Sequence, residues 1–153
     1  MSGSFLGREK FDPQLIISQM MVMQALFYLC LGFSFFLMDN FMGVPLTMDQ
    51  FFSSKMFAHG LKNRWAWATV FSFVLCALGN VLFLYVVIER AKKCLDFGAT
   101  VYGFHIFFCW LYAGMPSYWH WWLVIILSTT LTVLLGEYIC ARREMREITI
   151  VRR

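Results

Sequence analysis

Four long stretches of this sequence contain no charged residue. They cover residues 15–38, 65–88, 97–118 and 119–136, and each is about 18 to 24 residues long, which as an α-helix spans the roughly 30 Å hydrocarbon core of a bilayer. The short alternating segments typical of a membrane β-barrel are not seen. The pattern predicts an all-α membrane protein with four transmembrane helices, at about residues 13–38, 65–90, 95–114 and 117–142.

The four predicted helices belong to one domain that covers residues 1–153. Hydrophobic residues make up 60% of the chain and charged residues only 14%, against about 25% charged in a soluble domain. Asp12 and Pro13 are a start signal for the first helix, because Asp caps free amide groups and Pro suits the first turn. The turn at residues 114–117 is so short that the third and fourth helices are expected to form a tight antiparallel hairpin.

Lysine and arginine are distributed unevenly between the two sides of the predicted bundle. The side with both termini and the link between the second and third helices has ten of them, and the other side has three. The positive-inside rule therefore predicts that the N- and C-termini are cytoplasmic. All six tryptophans then lie towards the opposite interface, as an aromatic belt would: Trp65, Trp67, Trp110, Trp119, Trp121 and Trp122.

The loop after the first helix contains one more periodic segment. Met48, Phe51, Phe52, Lys55 and Met56 recur there at helical spacing. This spacing predicts a short amphipathic helix that lies in the membrane interface.

The five cysteines do not have the spacing of a disulfide framework or of a zinc knuckle. Cys94 and Cys140 fall where predicted helices meet the cytoplasmic surface, so S-palmitoylation is one interpretation. The other, which we favour, is a thiol packed at a helix end.

Small residues recur every four positions on two of the predicted helices. The second helix has Ala68, Ser72, Cys76 and Asn80 in this pattern, and the fourth has Ser128, Thr132, Gly136 and Cys140. Small residues let helices approach closely in lipid, so we interpret both stripes as packing seams in preference to a pore lining. An unpaired Asn80 would be the costliest of these residues in lipid, and we expect it to face another helix.

Several polar side chains interrupt the apolar stretches. Gln19 and Gln24 lie within the first helix, and Asp12 is on nearly the same face as Gln19. Interhelical hydrogen bonds are the favoured interpretation, with a ligand or partner contact as the alternative. On the third helix, His105 and Cys109 have a spacing that two metal ligands could use, but no convincing second pair completes a zinc site. A buried, hydrogen-bonded His105 is therefore favoured, and neither a metal nor another cofactor is predicted.

Two other classes of function remain as alternatives. A small transporter or channel would need Gln19, Gln24, Asn80 and His105 to line one aqueous path. A membrane acyltransferase would need His105 and Glu137 to meet at the cytoplasmic face. No hydrolase, zinc-protease or phosphate-loop motif is present, so we predict no catalytic residue, no small-molecule substrate and no nucleic-acid partner.

Short runs along nearly the whole chain resemble the Sys family of Golgi membrane proteins. The runs are Asp12-Pro13-Gln14-Leu15-Ile16-Ile17-Ser18-Gln19, Met23-Gln24, Lys93-Cys94-Leu95-Asp96-Phe97, Phe104-His105, Cys109-Trp110, Trp121-Trp122-Leu123-Val124, and Gly136-Glu137-Tyr138 with Cys140 and Arg142. The Cys-Leu-Asp-Phe and Gly-Glu-Tyr runs are the most specific, because no generic membrane helix requires them. The chain departs from the family in a longer N-terminal segment, in a lumenal loop where only Asp49-Gln50 match, and after Ile148.

The resemblance implies a four-pass protein of the trans-Golgi that is the receptor for an Arf-like small GTPase with an acetylated N-terminus. The docked GTPase would lead to recruitment of golgin tethers and support vesicle and protein trafficking. Within this interpretation, the residues expected at or beneath the docking surface are Asp12, Gln19, Gln24, Asp96, His105, Glu137 and Tyr138. For Asp96, the alternative is an N-cap for the third helix.

Overall fold

The computed structural model describes residues 12–88 and 91–151, and side chains as far as Arg146. Its α-helices are α1 (Pro13–Met42), α2 (Met48–Phe52), α3 (Arg64–Phe83), α4 (Ala91–Ala113) and α5 (Trp119–Val151). A single π-turn, Leu84–Ile88, continues α3. Four helices, α1, α3 with its π-turn, α4 and α5, are long and apolar enough to cross a membrane. The predicted all-α class with four membrane helices is confirmed.

The first helix begins at the predicted start signal and ends later than predicted. Asp12 caps it by accepting a hydrogen bond from Gln14 N at 3.1 Å, with Pro13 in the first turn. The helix continues through Asp39 and Asn40 to Met42, and Gly43 ends it in a left-handed conformation (φ 66°). We predicted an end at residue 38 because Asp39 is charged, but Asp39 is buried and accepts a hydrogen bond from Gln50 Nε2 at 3.1 Å.

Helix α3 packs along α1 through its stripe of small residues. Ser72 Oγ donates to Ser34 O at 3.3 Å, and Cys76 Sγ contacts Phe27 O at 3.6 Å. Gly79 lies against Cys30, so that a Cβ at position 79 would overlap the Cys30 sulfur. These contacts show why the α1–α3 seam requires short side chains.

Helices α4 and α5 pack in opposite directions. Successive contacts pair Ala91 with Glu144, Cys94 with Cys140, and Tyr102 with Thr132. Helix α4 starts about four residues earlier than predicted, so Asp96 lies inside the helix and the N-cap interpretation of Asp96 is wrong. Glu144 Oε1 instead accepts a hydrogen bond from Ala91 N, the first residue of α4, at 3.2 Å.

The loop between α1 and α3 divides the amphipathic segment that we predicted there into two short elements. It contains the five-residue α2 and then a separate 3₁₀ turn, Ser54–Phe57, and Phe57 is buried. Phe51 packs on Phe35 with ring centroids 4.6 Å apart, and Phe52 packs on Tyr112 at 5.7 Å. Aromatic residues that the sequence pattern assigned to the membrane interface therefore close one end of the bundle.

Candidate functional site

One end of the bundle collects most of the basic side chains, and we call it the basic end. Helix α1 begins there, α3 ends, α4 begins, and α5 extends outward. The described basic residues at this end are Lys92, Lys93, Arg142, Arg143 and Arg146. The opposite end, which we call the loop end, contains α2 and the turn between α4 and α5.

The π-turn of α3 is held at the basic end by side chains from two other helices. The last carbonyl groups of any helix lack a partner within that helix. Here Arg143 Nη1 donates to Tyr85 O at 3.2 Å, and Gln19 Nε2 donates to Val87 O at 3.2 Å. Gln19 thus makes an interhelical hydrogen bond, which is the interpretation that the sequence favoured.

A groove lies beside this π-turn, and arginine and tyrosine side chains dominate its lining. Its volume is about 220 Å³. Arg143 lies over the ring of Tyr85, 5.0 Å from its centroid, and Arg142 lies over the ring of Tyr138 at 5.4 Å. The lining residues are Tyr85, Tyr138, Ile139, Arg142, Arg143 and Arg146. Such stacking fixes each guanidinium on an aromatic face through cation–π attraction.

Four of the seven predicted partner-binding residues have accessible side chains at the basic end. Asp12, Asp96 and Tyr138 are exposed, and Glu137 is half-buried. Tyr138, the aromatic residue among these four, has 58% of its surface exposed. These four residues belong to three different helices or their caps, so only the folded bundle brings them to the same end.

Cys94 and Cys140 meet between α4 and α5, with their sulfur atoms 3.4 Å apart. Both side chains are fully buried. This burial agrees with the favoured interpretation of packed thiols, and palmitoylation would require the two helices to separate. The Cys-Leu-Asp-Phe run and the Gly-Glu-Tyr region therefore contribute to one helix–helix contact.

His105 lies at the centre of an aromatic cluster towards the loop end and is fully buried. Its Nδ1 is 3.3 Å from the Tyr28 hydroxyl, and its Nε2 is 3.6 Å from Cys109 Sγ. Four helices contribute rings around it: Phe27 and Tyr28, Phe52, Phe73, and Trp121. Both imidazole nitrogens thus have partners within the bundle.

Trp121 does not belong to the aromatic belt that we predicted. It is 1% exposed and packs on Trp122 and on His105, so it belongs to the protein core. Trp67, Trp110 and Trp119 are exposed at the loop end, where a belt residue would contact the membrane interface.

Four side chains of the membrane-spanning helices have buried polar atoms without a hydrogen-bond partner among the described residues. These atoms are the amide of Gln24, Asp39 Oδ2, Asn80 Oδ1 and Ser128 Oγ. Asn80 Nδ2 contacts Cys76 Sγ at 3.8 Å, and Asn80 is 1% exposed. Thr132 of the same α5 stripe contacts Tyr102 and donates to Ala77 O at 3.4 Å, and Gly136 lies against Leu84.

His105 and Glu137 do not form a joint site. His105 is enclosed by rings from the loop end, whereas Glu137 is on the turn of α5 before Cys140, which pairs with Cys94 near the start of α4. Over the described ranges, no three His, Cys, Asp or Glu side chains are grouped closely enough to hold a metal ion.

The fold and the basic end together define a class of protein: a polytopic α-helical membrane protein in which most of the described basic side chains lie at one end of the bundle. The family model described as "Integral membrane protein S linking to the trans Golgi network", SYS1, matches residues 6–150. The chain belongs to the SYS1 family, and it is thus an integral membrane protein of the trans-Golgi network. The resemblance seen in the sequence is confirmed.

Comparison with individual relatives also places the chain in the SYS1 family. The chain is 36% identical over 141 residues to the Protein SYS1 homolog of Nematostella vectensis, covering 92% of this chain and 88% of that protein. It is 31% identical over 149 residues to the Protein SYS1 homolog of Dictyostelium discoideum, and the match covers 97% of this chain and 63% of that protein. It is 25% identical over 145 residues to Protein SYS1 of Saccharomyces cerevisiae, and the match covers 92% of this chain and 68% of that protein. No solved structure matches the chain.

Sequence reasoning missed the arginine–tyrosine groove. Tyr138, Arg142 and Arg146 recur at four-residue spacing, which marks one face of α5. That signal was available in the sequence. Tyr85, however, reaches the groove from the π-turn of another helix, and only the fold reveals this contact.

Proposed function

We propose that this protein is a trans-Golgi receptor that recruits an Arf-like small GTPase with an acetylated N-terminus, and so supports golgin recruitment and vesicle trafficking. The observation that carries the proposal is the gathering of Asp12, Asp96, Glu137 and Tyr138 at the basic end. This is the end with the positive charge excess, which the positive-inside rule assigns to the cytoplasm. A cytosolic GTPase would meet the protein there.

The physical need for such a receptor follows from how weakly acyl chains anchor proteins. A single myristoyl chain gives only marginal, reversible membrane binding. A GTPase that has an acetyl group instead has still less affinity for lipid, so its membrane residence depends on a protein surface. The exposed Tyr138 and the neighbouring Arg142 belong to the residue types that dominate protein–protein hot spots.

The remaining predicted residues would act from beneath that surface. Gln19 joins α1 to the π-turn of α3 through Val87. His105 is enclosed in the aromatic cluster, and Gln24 is partly buried within α1. We therefore propose that Gln19 and His105 support the bundle on which the docking surface stands, and that neither they nor Gln24 touch the GTPase.

The proposal predicts that Asp96→Ala, Glu137→Ala and Tyr138→Ala release the GTPase to the cytosol while the protein itself stays in the Golgi. Removing a charged or aromatic anchor from an interface lowers affinity by about tenfold. The measurement is the Golgi fraction of the GTPase, by fluorescence microscopy, in cells whose only copy of the receptor is the variant.

Matched controls come from the loop end. Asp49→Ala removes a carboxylate there, and Tyr112→Ala removes a tyrosine that is 55% exposed, nearly the same exposure as Tyr138. Both controls should keep the GTPase on the Golgi. Unchanged GTPase localisation in all three basic-end variants would refute the docking surface, as would equal loss in the loop-end controls.

The proposed role is that of an adaptor, neither an enzyme nor a transporter. Asn80 and His105, two of the four residues that a permeation path would need, are buried against neighbouring protein groups. Protein reconstituted into vesicles should therefore give no flux of ions or small solutes above that of empty vesicles. A reproducible flux that is abolished by His105→Phe would favour transport instead.

A further inference from the structure

The charges of α5 at the basic end are divided between two faces of the helix. Glu137, Cys140 and Glu144 follow at three- and four-residue spacing and so share the face that packs on α4, where Glu144 bonds to Ala91 N. Tyr138, Arg142 and Arg146 share another face, which lines the 220 Å³ groove with Tyr85 of the π-turn. The groove therefore has a basic wall from which the described acidic side chains of α5 are turned away.

Arg142 and Arg146 are the arginines of the groove that can offer N–H donors to a ligand. A guanidinium has five N–H donors in its plane. Arg142 lies over the ring of Tyr138, 5.4 Å from its centroid, and such a cation–π contact needs no hydrogen-bond acceptor. Arg143 donates to Tyr85 O, and this bond joins α5 to the π-turn of α3 beside the groove. Arg142 and Arg146 are both exposed, so an anion can reach them.

The position of the groove indicates where that anion comes from. The groove lies between α3 and α5 at the ends of their membrane-spanning segments, Arg64–Ile88 and Trp119–Arg146. A site at this depth opens towards the headgroup layer of the bilayer. Basic pockets between transmembrane helices on the cytoplasmic side are typical binding sites for phosphorylated lipid headgroups.

The size and lining of the groove restrict the ligand further. At about 220 Å³ it is smaller than pockets for drug-sized molecules, which are about 300 to 1,000 Å³. It thus suits a headgroup whose acyl chains stay in the bilayer. Guanidinium groups bind phosphate oxygens in bidentate geometry, and several arginines around one small groove match the charge of a phosphomonoester better than that of a phosphodiester.

We propose that the groove lined by Tyr85, Tyr138, Arg142, Arg143 and Arg146 binds the headgroup of a phosphoinositide that bears a phosphomonoester. Arg142 and Arg146 contact the phosphate. Arg143 and Tyr85 are positioning residues, because they hold the π-turn that forms the opposite wall. Lipid binding at this site would tie the protein to membranes that contain the lipid, whether or not a GTPase is docked.

The test uses the purified full-length protein in phosphatidylcholine nanodiscs, with no GTPase present. Native mass spectrometry measures binding of dioctanoyl phosphatidylinositol monophosphate and of dioctanoyl phosphatidylinositol, which lacks the phosphomonoester. We expect the phosphorylated lipid to bind at least about tenfold more tightly. Arg142→Gln and Arg146→Gln should each weaken its binding by about tenfold, because each removes a charge-assisted contact.

Two control variants separate a built site from general charge attraction. Lys92→Gln removes one exposed positive charge from α4 at the same end and should change binding by less than about twofold. Arg146→Lys keeps the charge but loses the bidentate geometry, and it should weaken binding nearly as much as Arg146→Gln. Equal losses in Arg146→Gln and Lys92→Gln, or full binding by Arg146→Lys, would overturn the proposal.

A third arm distinguishes a lipid from a soluble anion. Inorganic phosphate and water-soluble inositol phosphate are added as competitors. Inositol phosphate carries the same headgroup and should compete, but only at concentrations well above that of the lipid, which is held in the bilayer. If inorganic phosphate displaces the lipid at the concentration where the lipid itself binds, the groove is a free-phosphate site and the lipid assignment is wrong. Because no GTPase enters the assay, failure here leaves the docking proposal intact, and failure of GTPase recruitment leaves this one intact.

Discussion

Single polar side chains inside the bundle differ in whether they have a partner, and the two glutamines of α1 show this most clearly. Gln19 donates to Val87 O in the last turn of α3, where helix carbonyl groups generally lack a partner within the helix. The buried amide of Gln24 makes no hydrogen bond of normal geometry among the described residues, and the polar group beside it is the Tyr28 hydroxyl. Their sequence contexts are alike, but their energetic roles should be opposite.

We predict that Gln19→Met destabilises the bundle by about 0.6 to 1.7 kcal/mol, the range measured for hydrogen bonds within membrane proteins. Gln24→Met should be neutral or stabilising, because it removes a buried amide that makes no hydrogen bond of normal geometry. The measurement is the midpoint of unfolding in a graded SDS series, followed by tryptophan fluorescence. Equal destabilisation by both variants would contradict the difference in pairing between the two amides.

At this scale, the sequence could predict that a residue is buried but not which group it meets. The interhelical role of Gln19 and the hydrogen-bonded His105 were both among the favoured interpretations. The contact partners, Val87 O and the Tyr28 hydroxyl, could not be predicted, because they come from helices 68 and 77 residues away in the chain. Asp39 was misread, since its charge suggests a helix end while its bond to Gln50 allows burial.

The helices themselves were predicted more reliably than their ends, since apolar length is a local property of the sequence. The π-turn after Phe83 leaves no signal in the hydrophobic pattern, because its stabilising contacts come from Gln19 and Arg143 on other helices. The loop segment around Phe51 has a helical period, but aromatic contacts with Phe35 pull it onto the bundle. Tertiary contacts therefore account for each departure from the predicted elements.

Close approach of helices depends on glycine at particular positions, and a matched pair of glycines tests this. A Cβ at Gly136 would lie 2.9 Å from Leu84 Cδ1, whereas a Cβ at Gly103 would meet nothing within 4 Å. We expect Gly136→Val to destabilise the bundle by about 1 to 3 kcal/mol more than Gly103→Val, because it overpacks the contact between α5 and the π-turn.

The same SDS unfolding series measures this pair. Valine carries the same intrinsic helix penalty at both positions, so the difference between the variants reports the packing alone. If Gly103→Val costs as much as Gly136→Val, the close contact between α5 and the π-turn is absent in the membrane.

For the whole molecule, orientation in the membrane is the expectation on which the docking and lipid proposals both depend. Ten lysines and arginines on one side against three on the other predict cytoplasmic termini. The chain has no natural Asn-X-Ser/Thr glycosylation sequence, so an introduced one reports the location of its own segment.

We predict that His59→Asn combined with Leu61→Thr yields a glycosylated protein, because these exposed loop-end residues would then be lumenal. A glycosylation sequence appended after Arg153 should stay unmodified. Gel mobility before and after glycosidase treatment measures glycosylation of the loop-end sequence and of the appended sequence. Modification of the appended sequence would place the C-terminus in the lumen, in conflict with the predicted topology.

Docking of the GTPase on the basic end can be tested directly by photocrosslinking from Tyr138. Tyr138 is replaced with photoreactive benzoylphenylalanine, intact Golgi membranes are irradiated, and the crosslinked protein is identified by mass spectrometry, with the same replacement of Tyr112 for comparison. We predict capture of an Arf-like GTPase with an acetylated N-terminus from position 138 and not from position 112. Capture of the GTPase from position 112, or its absence from the products at position 138, would show that the GTPase does not dock on the basic end.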